Sequence, residues 1–479
     1  MAIRSVFRRP LGLIVLPVAA LVGAAPAAAA TTTAVASPMW LIPALPFVAL
    51  IAALAILPAA LPSFWHQRYG LVALVCGLMS LSAEWVLTGW SATGAALVHV
   101  FLADYLPFTI LLTALFIVAG GIRITGNIHG SPGTNVLLLL VGAGLASLVG
   151  TTGAAMVMIR PLLRANDERR HKAHVVVFFI FLVANIGGAL TPLGDPPLLL
   201  GYLSGVHFFW PTIHLLAPTA LVVALVLAVF YVVDRSCYRR DASDRGLADP
   251  TPDAGPVRAE GRINYLFLLA IVVLVPIGGS WKSGIAWDVF GTHVGLEDLA
   301  RDGAIALVGI LSLLFSPRQA RAANGFSFAP MREVAILFAA IFVTLAPVLG
   351  LLRLGSNGPF APLIAFLGRP GEPGAAAITF WVSGLLSSVL DNAPTYLAFF
   401  HLAGGDATAL MAEGRTLLAI SCGTVFMGAI TYIGNAPNFM VRAIAEEAGV
   451  PMPSFFGYMA WSVGVLVPVF AIVTFIFFR

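Results

Sequence analysis

The chain is predicted to be an all-α polytopic membrane protein with inverted structural repeats, each holding a re-entrant hairpin and a broken transmembrane helix. Three observations lead there. Hydrophobic residues make up 59% of the 479 residues and charged residues only 10%, whereas soluble domains carry about 25% charged residues. Apolar runs of about 20 residues, the length of a membrane crossing, recur from end to end. Two of these runs carry the same interruption, Gly188-Ala189-Leu190-Thr191-Pro192-Leu193-Gly194-Asp195-Pro196-Pro197 and Gly428-Ala429-Ile430-Thr431-Tyr432-Ile433-Gly434-Asn435-Ala436-Pro437. Proline supplies no amide hydrogen and clashes with the preceding turn, so a helix cannot pass through either stretch unbroken. In a bilayer such a break survives only where protein or a water-filled cavity satisfies the freed backbone groups.

Residues 1–30 read as a signal peptide or, alternatively, an uncleaved apolar segment. Arg4, Arg8 and Arg9 precede the apolar Leu11–Val22, and small residues follow at Ala24–Ala30. Either way, 31–38 is expected outside the cytoplasm. Spans follow near 40–62, 70–89 and 103–122, with Arg68 and Arg123 marking cytoplasmic ends. The stretch 134–163 is split by Gly150-Thr151-Thr152-Gly153 and has basic residues at both ends. The positive-inside rule therefore favours a hairpin that dips in and returns. A broken span at 173–206 and a full span at 211–234 complete the first half, 31–234. The polar stretch 235–262, with Arg235, Arg239, Arg240, Arg245, Arg258 and Arg262, reads as a flexible cytoplasmic linker.

The second half, 263–479, repeats the plan. Spans near 263–283, 301–316 and 333–354 precede a stretch at 374–402 that is split at Leu390-Asp391-Asn392-Ala393-Pro394. No basic cluster flanks that stretch, so it reads as a hairpin dipping from the outer side. A broken span at 415–448 and a last span at 454–477 follow. The repeat is countable: Gly144-Leu145-Ala146-Ser147-Leu148-Val149 matches Gly384-Leu385-Leu386-Ser387-Ser388-Val389 at an offset of 240, the same offset that relates Gly188 to Gly428. With hairpins dipping from opposite sides the repeats are inverted, and inverted repeats with broken midplane helices are a transporter signature.

Charges inside a bilayer are costly and usually functional. Asp195 falls in the first broken helix and Asp391 at the second hairpin tip, and these are the candidate proton- and cation-coupling groups. Their repeat mates, Asn435 and Thr151, are polar but neutral. Together with Thr152, Thr191, Asn392 and Thr431 they form an oxygen-rich set suited to a small hard cation such as sodium, held at Asp391, Asp195, Asn392 and Asn435. The starts of the half-helices could instead attract an anion. Each polar residue also has a capping role to offer, because Asp195 precedes Pro196-Pro197 and both Asn435 and Asn392 precede Ala-Pro. Asp391, one residue before the expected cap Asn392, has the smallest capping role. Glu84 is a possible relay or a residue reaching the outer interface beside Trp85 and Trp90.

Several classes are set aside. The net charge of +4 comes from arginines in short loops rather than a nucleic-acid surface, and Cys76, Cys237 and Cys422 are too scattered for a disulfide framework or a metal cluster. Metalloprotease, nucleotide-loop and serine-hydrolase motifs are absent from the sequence. An intramembrane aspartyl protease would need Asp195 and Asp391 as a dyad, but they stand in unlike surroundings on non-equivalent elements.

At these residues the chain resembles the ion transporter superfamily, which contains NhaD-type sodium/proton antiporters, arsenite permeases, citrate transporters and divalent-anion:sodium symporters. Asp391-Asn392-Ala393-Pro394 resembles the Asp-Asn-Ile-Pro element of the NhaD-type antiporters, and Thr191-Pro192-Leu193-Gly194-Asp195 their Thr-Pro-Ile-Gly-Asp segment. The stretch Gly188–Phe209 is also similar to a group described as citrate transporters or sodium:proton antiporters. The chain departs from the Ser-Asn-Thr signature of the divalent-anion symporters, carrying Gly150-Thr151-Thr152 and Leu390-Asp391-Asn392 at the hairpin tips. An acid at the tip repels an anionic substrate unless a cation intervenes. The resemblance implies a homodimer in which hairpins and broken helices move against a scaffold. The expectation is therefore a multi-pass inner-membrane antiporter exchanging sodium, or another monovalent cation, for protons without a resident cofactor. Cation-coupled carboxylate transport is the alternative.

Overall fold

The computed structural model describes residues 38–126, 128–245 and 258–479. The signal-peptide reading of 1–30 and residues 246–257 of the expected linker lie outside the described residues. The protein is an all-helical polytopic membrane protein: among the described residues nine helices are long and apolar enough to cross a bilayer. After a short 3₁₀ turn, helices Leu45–Ala60 and Pro62–Thr88 are separated at Leu61, which precedes a proline and leaves the helical region. The next helix is longer than the predicted 103–122. It runs from Trp90 to Gly120 through a π-helical turn at Val100–Tyr105. Helices Ile263–Ser280, Leu296–Phe315 and Ala329–Leu352 follow in the second half, and Phe455–Phe477 closes the chain.

The first hairpin has arms Pro132–Val149 and Thr151–Ala165, with its tip at Gly150, whose φ of +83° suits glycine. Ser131 caps the first arm, accepting from the Thr134 amide, and Pro132 takes the first helical position. The arms fold back on each other: Asn135 near one end and Asn166 just past the other exchange amide hydrogen bonds of 2.9 and 2.8 Å. Asp234 in the long helix Trp210–Arg245 anchors this open end, accepting from Asn135 at 3.0 Å and pairing with Arg169 at 2.5 Å, all three side chains buried. The second hairpin has arms Ala375–Ser387 and Asn392–Leu402.

Both breaks occur where the motif places them. Helix Ala173–Leu182 unwinds at 183–185, makes a 3₁₀ turn at Ile186–Leu190, turns back through 192–194, where the Gly194 amide donates to the Thr191 carbonyl at 3.0 Å, and resumes after Asp195 as Pro196–Leu203. Its mate runs Arg415–Met427 and resumes at Ala436–Glu447. The shared glycines let each loop close on itself: a Cβ on Gly434 would lie 2.6 Å from the Gly428 carbonyl oxygen, and one on Gly194 would overlap that of Gly188. Local bonding is matched as well. Thr191 donates to the Ser147 carbonyl and accepts from the Leu193 amide, while Thr431 donates to the Ser388 carbonyl and accepts from the Ile433 amide. Thr212 holds the Leu190 carbonyl and Ser462 holds that of Ile430, each at 2.6 Å.

Burial orders the helices. The stretch Ala173–Leu190 is 89% buried, whereas Ser63–Thr88 is 17% buried and presents its apolar side chains outward. The broken helix is therefore central and the early helices are peripheral. Two predicted extents need correction. The span expected to end at 234 continues to Arg245, and Arg258–Glu260 pairs antiparallel with Arg123–Thr125, so both ends of the expected linker 235–262 are structured. Arginine favours helix and its long stem packs well at a helix end, which is why a basic run need not mean a loop. A second unforeseen strand pair, Ala286–Val289 with Thr292–Gly295, turns through Phe290 and Gly291, both at positive φ.

Candidate functional site

Four elements meet at one buried carboxylate. Asp195 is 1% exposed and accepts three hydrogen bonds. Thr151 at the first hairpin tip donates at 3.0 Å and Asn435 of the second break at 3.2 Å, both to Oδ1, while Asn392 of the second hairpin donates to Oδ2 at 2.5 Å. All three donors are buried. The Oδ1 atom of Asn392 is buried as well and finds no partner. A buried carbonyl left unpaired costs about 1–3 kcal/mol, so the cluster holds one oxygen whose bonding capacity the protein itself leaves unused.

Beside this cluster lies a cavity of about 50 Å³. Thr151, Thr152, Asp391 and Asn435 line it on one side, and Met331, Val334 and Phe338 of helix Ala329–Leu352 wall it on the other. The half-helices starting at Pro196 and Ala436 both open onto it, so their positive dipole ends face a common space, although prolines leave Ala436 as the one N–H among the first two positions of each. Behind Asp195, Asn435 also donates to the Ala184 carbonyl and to Asn185, and Asn185 donates to Asn438 at 2.7 Å. Asn438 in turn satisfies the carbonyls of Gly428 and Thr431 exposed by the break. This amide chain fastens one broken helix to the other.

The structure redistributes the predicted roles. Asp391, expected to have the smallest capping role, is the N-cap of Asn392–Leu402 and accepts from the Ala393 amide at 3.4 Å. Asn392, the expected cap, is instead the first helical residue and turns to Asp195. Asp195 and Asn435 occupy cap positions without capping, because each side chain is held across the site by the other halves of the cluster. Asp391 is half-buried in the cavity wall beside this cluster rather than at its centre. Thr191 and Thr431 tie the breaks to the hairpins and have their hydroxyls committed to backbone. Glu84 lies on helix Pro62–Thr88 fourteen residues past Gly70, the position level with Ile336. That places it roughly 21 Å along the helix from the cavity level. No hydrogen bond joins Asp195 to Asp391 among the described residues, whereas an aspartyl protease dyad shares one proton between its carboxylates.

Sequence reasoning passed over Asn185, Asn438 and Ser147. A signal existed for the asparagines: Asn185 is a lone amide in an otherwise apolar helix, and Asn438 sits three residues after Asn435, on the same helical face. Ser147, whose hydroxyl donates to the Gly187 carbonyl and accepts from the Leu190 amide, looks like any small residue of an apolar helix.

Two hairpin tips and two broken helices converging on a single buried carboxylate define a membrane transport protein. The chain belongs to the family described as "Putative citrate transport", whose profile matches residues 36–478. It is 24% identical over 382 residues to a 46 kDa membrane protein of Mycobacterium leprae, covering 74% of this chain and 82% of the relative. It is also 24% identical over 361 residues to uncharacterized transporters of Mycobacterium bovis and Mycobacterium tuberculosis, covering 71% of this chain and 79% of each relative. Family and relatives are described as membrane proteins and transporters, not as enzymes.

Proposed function

We propose that the protein is a secondary active transporter of the inner membrane that exchanges a monovalent cation, sodium first, for protons at Asp195. The observation that carries this reading is the geometry of Asp195: one buried carboxylate at the meeting of both hairpins and both breaks, next to the unpartnered Asn392 Oδ1. A carboxylate in such a place holds either a proton or a cation, because a second positive charge has no counter-charge at the centre of the cluster. With sodium bound, the carboxylate oxygens, the Asn392 carbonyl and the Thr151 hydroxyl oxygen supply hard oxygen ligands. With a proton bound, the same donors hold a neutral acid. Asp391 in the cavity wall attracts the cation toward the cluster. The matched bonding of the two breaks and the loop charges support reading the halves as inverted repeats that alternate access. A homodimer follows from the resemblance to the superfamily.

The test uses vesicles containing the protein and a pH dye under an imposed proton gradient. Adding sodium, lithium or potassium should collapse the gradient, and Asp195→Asn should not respond. A gradient that ignores every monovalent cation would sink the reading.

A second reading, cation-coupled uptake of a carboxylate, is favoured by the family description and by the two half-helix starts that face the cavity. In it the cation at Asp195 offsets the acid, and the positive dipole ends of the half-helices at Pro196 and Ala436, of which only Ala436 carries an N–H, receive the anion. Citrate-driven uptake without cation-driven proton release supports this second reading over the first.

A further inference from the structure

The two helices that leave the central cavity, Thr151–Ala165 and Ala436–Glu447, pack side by side and reach a second cavity at their far ends, about 390 Å³ in volume. Arg160, Arg164 and Arg123 line it, facing one acid, Glu447. From Thr152 to Arg160 is eight residues, so the two cavities are roughly 12 Å apart along one helix.

Two of the three arginines have partners in place. Arg123 is paired with Glu260 at 3.2 Å, and Arg164 donates to the Ile124 carbonyl at 2.6 Å. Arg160 is half-buried and makes neither a hydrogen bond nor an ion pair within 4 Å among the described residues. Room is kept for its guanidinium: Gly325 stands at φ +59°, and a Cβ there would lie 2.5 Å from Arg160 Nη2. Arg160 and Arg164 are four residues apart on one helical face, where like charges repel. Glu447 offsets Arg160 and Asp167 offsets Arg164 through space, but the half-buried Arg160 guanidinium keeps hydrogen-bonding capacity that an anion between the two arginines would take up.

We propose that this cavity is a binding site for a small multivalent oxyanion, with Arg160 as its principal contact and Arg164 beside it. The planar guanidinium forks match carboxylate or phosphate oxygens two at a time. The free anion and the headgroup of an anionic lipid share this chemistry. Occupancy does not depend on the cation reading. Only the further step, in which the bound anion passes along the helix pair to the central cavity, rests on the carboxylate reading.

Purified protein in nanodiscs of phosphatidylcholine, in sodium-free buffer, is titrated calorimetrically with citrate. Wild type is expected to bind. Arg160→Gln should bind at least about tenfold more weakly, the loss of one charge-assisted contact. Thermal unfolding without citrate checks that the variant is folded, and Arg164→Gln provides an independent second variant with the same expected direction. Repeating the titration in nanodiscs that also contain phosphatidylglycerol separates the sources. Unchanged citrate binding assigns the site to a free anion, whereas competition that vanishes in Arg160→Gln assigns it to the lipid headgroup. Absence of citrate binding together with absence of a lipid effect overturns the proposal, as does citrate binding left unchanged in folded Arg160→Gln and Arg164→Gln. Cation-driven flux is not read, so a failed titration leaves the exchange reading standing, and the converse holds too.

Discussion

Replacing Asp195 by Asn removes one charge and little else, which makes its consequences calculable. The site presents donors to three lone-pair positions, from Thr151 and Asn435 on Oδ1 and from Asn392 on Oδ2. In the variant, a carbonyl placed at Oδ1 keeps two of these bonds. The new amide then meets Asn392, whose own amide can turn over to present the oxygen that has no partner in the wild type. Folding therefore loses only the difference between charge-assisted and neutral hydrogen bonds, about 1–3 kcal/mol in all. Cation binding loses far more. A unit charge 4 Å from a carboxylate gains about 4 kcal/mol at an effective dielectric of 20, roughly a thousandfold in affinity. Asp195→Asn should thus insert normally, unfold within a few degrees of wild type and show no sodium-driven proton release in vesicles. The matched control is Asp391→Asn, which keeps a good N-cap residue on its helix and should retain exchange at a raised half-saturating sodium concentration. Normal exchange in Asp195→Asn, or abolished exchange in Asp391→Asn alone, would return the central role to Asp391 and refute the argument from geometry.

Four further outcomes follow from the site and from the hairpin anchor. If sodium and a proton exclude each other at Asp195, the half-saturating sodium concentration rises about tenfold for each pH unit below the carboxyl's pKa and is flat above it. Initial rates across the neutral range measure this, and a pH-independent value speaks against competition at one group. Thr151→Val removes a donor to Asp195 and should raise the sodium requirement about tenfold with little change in stability. Thr191→Val frees the Ser147 carbonyl instead and should lower the unfolding temperature more than it changes affinity. Asp234→Asn leaves His174 without its buried acceptor charge and Arg169 with only Asp241 at 3.8 Å, and should destabilise the hairpin anchor by about 1.5–3 kcal/mol, read as a drop in the thermal midpoint of the detergent-solubilised protein.

Much of this arrangement was legible from residue types alone. Proline and glycine punctuation located both breaks and both tips to within a few residues, because in an apolar run only a true interruption of hydrogen bonding is tolerated. The 240-residue offset pointed to matched elements, and Thr191 and Thr431 make similar bonds in the two breaks, one to the Ser147 carbonyl and the other to that of Ser388. What could not be read was the direction of side chains. Asp391 and Asn392 are adjacent in sequence, and only the turn at Leu390 decides which one caps the helix and which reaches Asp195. The ends of helices were also hidden. Arg239 and Arg240 continue a helix well past the apolar boundary, since nothing in a basic residue terminates one. Asn185 was overlooked because its partner, Asn438, is 253 residues away in the chain.

On the reading of the halves as repeats, the remaining question is why two like breaks carry a single charge. At the equivalent cap positions stand Asp195 and Asn435, which touch at 3.2 Å. Two carboxylates at that distance would share a proton rather than both ionise, so a single cation could not be exchanged cleanly for a single proton. One acid and one amide avoid this, and the half that carries the acid is then a matter of local support. The exchanged pair, Asp195→Asn with Asn435→Asp, tests that logic. It restores one carboxylate to the same cluster, still within reach of the amides of residues 185 and 195, but it gives up the hydroxyl of Thr151. Losing one charge-assisted bond costs about 1.5–3 kcal/mol, so the double variant should exchange sodium for protons with about ten- to a hundredfold weaker apparent affinity, where Asp195→Asn alone shows none. A double variant that folds normally and remains as inactive as the single one would mean that the position of the charge, set by Thr151 and Asn392, matters more than its number.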